Sequence, residues 1–188
     1  GSKNGKVTVG CGSSFVLGAQ EDAALAHVSG ASGGVLLLSG ERTTALDMAG
    51  MGLNSAYIGA DGQAVLSGSV KAGTQGYLFG GSGTLTVACS LSGNHSLTVD
   101  TQGMGTAGCV ILAADNSYSG ETRILSGASL AVGAGETAGT LGTGVVVNEG
   151  TLTFNRTDRV TAGNAISGTG NLVQKGSGEL VLTGNNSY

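Results

Sequence analysis

A phrase of eleven residues comes back in this chain. Gly108-Cys109-Val110-Ile111-Leu112-Ala113-Ala114-Asp115-Asn116-Ser117-Tyr118 returns as Gly178-Glu179-Leu180-Val181-Leu182-Thr183-Gly184-Asn185-Asn186-Ser187-Tyr188, an offset of 70 (178 − 108). Gly83-Thr84-Leu85-Thr86-Val87 returns as Gly150-Thr151-Leu152-Thr153-Phe154, an offset of 67. Leu91-Ser92-Gly93-Asn94-His95-Ser96-Leu97 returns as Ile166-Ser167-Gly168-Thr169-Gly170-Asn171-Leu172, an offset of 75. A strand and a turn cannot bury their own apolar face, so such units stack, and insertions go to the loops. The unequal offsets fit persistent strands joined by turns of variable length.

Short alternating runs recur, such as Val7-Thr8-Val9, Leu97-Thr98-Val99, Leu130-Ala131-Val132 and Leu180-Val181-Leu182. Period two with β-branched residues reads as strand. Glycine breaks such as Asp61-Gly62 and Glu149-Gly150 separate the runs, giving the backbone freedom to turn. The one helix candidate is Glu21-Asp22-Ala23-Ala24-Leu25-Ala26-His27, stopped early by Val28 and Gly30. Strands arriving about every 10 residues fit a sandwich, a barrel or a solenoid; the long-range echoes favour the solenoid. Three strands per coil at about 25–30 residues predict six or seven coils and a rod on the order of 30 Å long. The Asn residues of the Asn-Ser-Tyr turns are expected to ladder where coils align. The 188 residues read as a single unit, with less regular coils over 1–82 and recognisable repeats over 83–188.

Composition agrees. The chain has 37 Gly, no Pro, 40% hydrophobic residues, 11% charged and 4% aromatic, which is unlike a disordered chain. A narrow stacked core needs Val, Leu, Ile, Ala and Thr rather than large rings. Net charge is −4, and the 8 Lys and Arg form no cluster, so nucleic-acid or anionic-membrane binding has no electrostatic basis. No apolar run reaches the roughly 18 residues of a membrane span. The opening Gly1-Ser2 reads as a cloning remnant, and the chain as a piece of a longer protein. Cys11, Cys89 and Cys109 lack metal spacing and allow at most one disulfide; they read as buried free thiols.

Residues 83–188 resemble the autotransporter-associated β-strand repeat, also called the passenger-associated transport repeat. The resemblance rests on Asn155-Arg156-Thr157-Asp158-Arg159-Val160 and on the run from Ile166-Ser167-Gly168-Thr169-Gly170-Asn171-Leu172 to Asn186-Ser187-Tyr188. The preceding copy continues as Tyr118-Ser119-Gly120-Glu121-Thr122-Arg123-Ile124. The resemblance implies a right-handed parallel β-helix exported to the bacterial surface, in a family associated with folding and transport of passenger domains. It carries no common catalytic residues.

The remaining motifs read as structural. Gly30-Ala31-Ser32-Gly33-Gly34 matches a nucleophile-elbow pattern but has no helix after it. Gly103-Met104-Gly105-Thr106-Ala107-Gly108 matches a dinucleotide fingerprint without its βαβ setting. His27 reads as semi-buried and His95 as a solvated turn residue, and neither has ligand spacing. Asn94-His95-Ser96 and Asn155-Arg156-Thr157 match the glycosylation sequon without further support. Glycoside chemistry needs two carboxyls about 5–10 Å apart, yet the 12 acids are scattered. Asp115, Asp158 and Glu179 alone could meet across coils. Arg156, Asp158 and Arg159 are the densest charged spot, expected as a solvated loop with a local ion pair and otherwise as a ligand contact. No catalytic, metal or cofactor site is expected. The function expected is an adhesin or stalk at the cell surface that supports passenger folding. Its partner would be a host or neighbouring-cell protein or glycan, or another copy. The alternative is a β-helix that binds or degrades polysaccharide.

Overall fold

A computed structural model describes residues 5–18, 22–104 and 108–188. Its strands are β1 (Ser14–Leu17), β2 (Val35–Arg42), β3 (Leu46–Asp47), β4 (Tyr57–Leu66), β5 (Val70–Lys71) and β6 (Tyr77–Gly80). Then follow β7 (Thr84–Val87), β8 (Leu97–Asp100), β9 (Cys109–Leu112), β10 (Thr122–Ile124), β11 (Ser129–Val132) and β12 (Val146–Asn148). The last are β13 (Thr151–Phe154), β14 (Val160–Ala162), β15 (Ile166–Ser167), β16 (Asn171–Gln174) and β17 (Leu180–Leu182). The helix candidate is realised only as the four residues of α1 (Asp22–Leu25); Glu21 lies outside the described residues.

Every named strand pairs parallel to its neighbours. Parallel pairing of consecutive short strands requires the chain to wind around and return one strand higher. The molecule is therefore a β-solenoid of about eight turns. On the first face β1, β2, β4, β6, β8, β10, β12 and β15 stack in that order. On the second face the latter halves of β2 and β4 lead to β7, β9, β11, β13 and β16. The third face is patchier, with β3 on β5 and β14 on β17. The first third of the chain, weakly repetitive as sequence, winds through the same columns, with Ser14 opposite Val35 and Val35 opposite Tyr57.

Coils are tighter than the sequence suggested. One winding takes 20 residues between Tyr77 and Leu97 and 25 between Leu97 and Thr122. The expectation of 25–30 residues and six or seven coils allowed too much chain for the corners.

Two of the echoes separate on the structure. The 67-residue echo is axial: Thr84, Cys109, Ser129 and Thr151 lie directly above one another. The 70-residue echo is not. Cys109 sits on the second face, Asn171 lies three windings above it, and Leu180 is one face further on, paired with Val160. The expected Asn ladder is therefore absent between Asn116 and Asn186. Each instead reaches the neighbouring coil, where its Oδ1 accepts from the backbone N–H of Leu91 (2.8 Å) or Ile166 (2.9 Å).

Alternation sends one residue in two inward. The first face stacks Leu36, Ile58, Phe79, Val99 and Ile124, all nearly fully buried. The second stacks Ala64, Leu85, Val110, Leu130 and Leu152. Glycine has a positional reason just before the second face. A Cβ on Gly83, Gly108, Gly150 or Gly170 would come within 2.2–2.4 Å of the carbonyl oxygen of the coil below. Adjacent windings pass too closely there for a side chain, which explains the Gly-Thr-Leu-Thr phrase.

Candidate functional site

The charged spot singled out by sequence holds the expected local ion pair, but it is built on one buried side chain, Arg156, while its carboxylates stay part-exposed, Asp158 at 39% and Asp115 at 69%. Alternation along β13 points Leu152 and Phe154 inward and, continued past the strand, Arg156 as well. Arg156 is 8% exposed. Its Nε donates to Asp158 Oδ1 at 2.8 Å and one terminal nitrogen to Asp158 Oδ2 at 2.7 Å, a two-pronged pair. The other terminal nitrogen donates to the Gly139 carbonyl at 2.9 Å, and the Thr137 carbonyl accepts as well. Asp115 Oδ1 lies 3.8 Å from the same guanidinium and accepts from the Gly139 N–H at 3.0 Å. The group thus ties loop 133–139 to the windings on either side. Hydrogen bonds from Arg156 hold the Asp158 carboxyl below its ordinary range, and the Asp158 carboxylate raises Arg156 in turn.

Asp115 and Asp158 do meet, on opposite sides of one cation, but Glu179 does not join them. It pairs with Arg159 at 3.2 Å, both side chains about two-thirds exposed. Such a pair contributes about 0–1 kcal/mol. Arg159 is the member of the trio that faces solvent.

Beside the clamp the third face has a gap. Residues 140–143 form no strand against β14, leaving a cavity of about 350 Å³. Val132, Leu141 and Phe154 supply its apolar wall, and Asn164 also lines it, donating to the Gly142 and Gly144 carbonyls at 2.8 and 2.7 Å.

The second face presents the most regular surface. Its outward residues form two columns, Thr84-Cys109-Ser129-Thr151-Asn171 and Thr86-Ile111-Ala131-Thr153-Val173. None of these ten is charged. At 4.7–4.9 Å per winding they make a flat strip about 19 Å tall.

The other sequence candidates fall into ordinary roles. Ser32 is fully buried, and its Oγ accepts from the Val9 N–H at 3.0 Å; the chain then enters β2 rather than a helix. His27 is exposed, contrary to the semi-buried expectation, and serves the fold through its carbonyl, which accepts from Val7 N–H at 2.7 Å. His95 is exposed, with its ring edge-on to Tyr77 at 5.7 Å. In the Gly103–Gly108 fingerprint, residues 105–107 lie outside the described residues. All three cysteines are free thiols, but Cys11 is exposed and Cys89 and Cys109 are half-buried, so none is a fully enclosed core thiol. Burial pushes the Cys89 and Cys109 thiols up. Among the described residues no three His, Cys, Asp or Glu side chains are grouped to hold a metal ion, and no helix is long and apolar enough to cross a membrane.

Sequence reading missed Tyr118. It ends the first Asn-Ser-Tyr turn but lies wholly in the core, its hydroxyl 2.8 Å from Thr122 Oγ1 and its ring against Tyr77. Tyr188, its echo, is 59% exposed. The signal was the Thr four residues on, a hydrogen-bond partner of the kind a buried phenol needs.

Comparison with known families matches residues 107–132 and 172–188 to the passenger-associated-transport-repeat model. The first segment spans β9, β10 and β11; the second includes β17 and the Asn186 turn. No curated protein and no solved structure matches the chain.

Proposed function

Because the chain carries the passenger-associated transport repeat on a parallel β-solenoid, and so fits a segment of an autotransporter passenger, we propose that it works as a non-catalytic contact surface at the bacterial exterior. The observation that carries this reading is the uncharged outward strip of the second face. A flat surface without charge loses little hydration on contact. It favours broad, weak attachment repeated along a rod over tight capture of one small molecule. The partner would be a protein or glycan on a host or neighbouring cell, or a second copy of the chain.

A second role belongs to the windings themselves. Each completed coil offers an open row of amides and carbonyls to the next. A coil that leaves the cell first therefore templates the one behind it, so winding assists export.

The test is to display a passenger on a bacterial surface with outward residues Thr86, Ile111 and Thr153 changed together to Lys. Surface amount should stay as in wild type while attachment to cells falls several-fold. Unchanged attachment at equal surface amount would leave this segment as a spacer. Cleavage of a polysaccharide by the purified chain would replace the proposal with an enzymatic one.

A further inference from the structure

The third face closes by a different device at successive steps of the stack. Below residues 140–143, Asp115 Oδ1 accepts from the Gly139 N–H at 3.0 Å, and Asn116 donates to the carbonyl and the hydroxyl of Thr140. Above, β14 and β17 form a ladder. Between 140–143 and β14 neither device is present, and this step leaves the cavity of about 350 Å³.

The open step leaves polar groups without partners. In the β14–β17 ladder Val160 donates its N–H to Glu179, and the Ala162 carbonyl accepts from Thr183. A parallel strand turns alternate residues to its two neighbours. The N–H and carbonyl of Thr161 are therefore directed the other way, towards 140–143, and no described residue bonds either of them. Asn164 adds a third group. It is only 9% exposed and lines the cavity. Its Nδ2 donates to the Gly142 and Gly144 carbonyls, while its Oδ1 takes no hydrogen bond from any described residue. A buried polar group left unmatched costs free energy. One free donor and two free acceptors at a single cavity call for a ligand that offers both kinds of group.

The lining restricts what else that ligand carries. Val132, Leu141, Phe154 and Ala162 are nearly fully buried and give an apolar floor. Thr143 and Thr161 are exposed and place hydroxyls at the rim. No lining residue is charged, so an ion would lose its hydration without compensation. A neutral ligand bearing an amide, a methyl group and several hydroxyls meets all of these conditions.

We propose that this cavity is a binding site for one N-acetylated hexosamine. The acetamido carbonyl accepts from the Thr161 N–H, and the acetamido N–H donates to the Thr161 carbonyl. The methyl group rests on the apolar floor. A ring hydroxyl donates to Asn164 Oδ1, and others meet the threonine rim. At about 350 Å³ the site is at the small end of ligand pockets and suits a single ring. A peptide strand can also use an open sheet edge. Here Asn164 ties the chain just past β14 to Gly142 and Gly144, which closes the run that an extended strand needs. The site lies on the third face, apart from the second-face strip, and does not rest on the contact role proposed above.

Titration of the full isotope-labelled chain with N-acetylglucosamine and N-acetylgalactosamine, followed by NMR, tests the proposal. Amide signals of residues 140–143 and 160–164 should move, and glucose should bind about tenfold more weakly. Ala162→Leu fills the floor and should abolish binding without lowering the melting temperature. Thr161→Pro removes an N–H that the β17 ladder does not use, so it should keep the fold and weaken binding about tenfold. If one variant fails to fold, the other carries the test. No movement with either acetylated sugar overturns the proposal, as does equal binding of glucose, or binding that survives the folded variants. An acetylated dipeptide that binds where the sugars do not would replace it with a strand-edge site. The methyl glycoside of N-acetylglucosamine binding as well as the free sugar identifies the end of a glycan as the source; binding of the free sugar alone identifies a soluble one.

Discussion

Arg156 shows how much one side chain can decide in a narrow core. Its head is held by Asp158 and by the Gly139 and Thr137 carbonyls, so removing it leaves the buried Gly139 carbonyl unpaired and breaks an ion pair. Arg156→Ala should lower unfolding free energy by about 1–2 kcal/mol in a urea titration, since the carboxylate partner is part-exposed and only the Gly139 carbonyl is left unpaired. Arg156→Lys should recover only part, because an ammonium cannot make the two-pronged contact. The pH dependence follows from the carboxyl partner. Asp158 has an ordinary value of 3.8, lowered in the folded chain chiefly by its hydrogen bonds with Arg156. Its contribution is therefore present above that value and lost as pH falls through the lower folded one. Acid titration of the wild type should show this loss below about pH 4, and Asp158→Asn should flatten it. Gly150 makes a different demand. A methyl there would sit 2.3 Å from the Ala128 carbonyl oxygen, and Gly150→Ala should cost about 1–3 kcal/mol by thermal unfolding. Tyr118→Phe loses one buried hydroxyl contact and should cost about 1 kcal/mol.

At the scale of the strand, what the sequence discloses depends on whether a pattern is local or relational. Thr84-Leu85-Thr86-Val87 and Thr151-Leu152-Thr153-Phe154 are legible because alternation fixes which residues point in. The same alternation reaches Arg156, yet its charge suggested solvent, and only the loop carbonyls that receive it explain its burial. Coil length was misjudged because corners have no periodic signal; several turn within a few residues, where glycine lets windings touch. The 70-residue echo promised a ladder because local motif and axial register look alike in one dimension. In three dimensions the two copies keep the same asparagine-to-backbone bond on different faces. Element-level packing gives one further expectation. Leu182 packs half-buried against the core from the end coil, and Leu182→Asp should cost about 1–2 kcal/mol, read as a lower midpoint in thermal unfolding.

For the whole molecule, stability is nearly one-dimensional. Each winding touches chiefly the ones above and below, so the rod behaves as a series of similar interfaces rather than a single globule. Recognition of the transport repeat in two segments fits that picture, since both contain a strand and the turn that binds its neighbour. A regular stack also leaves an uncharged strip facing outward along its second face. The distance between two points on that strip tests the account most directly. Val65 and Val173 stand in one outward column, five windings apart through Thr86, Ile111, Ala131 and Thr153. With the native cysteines changed to serine and spin labels at these two sites, the stacked arrangement predicts a narrow separation near 24 Å. A broad distribution, or a distance well beyond about 35 Å, would contradict windings that lie one upon another.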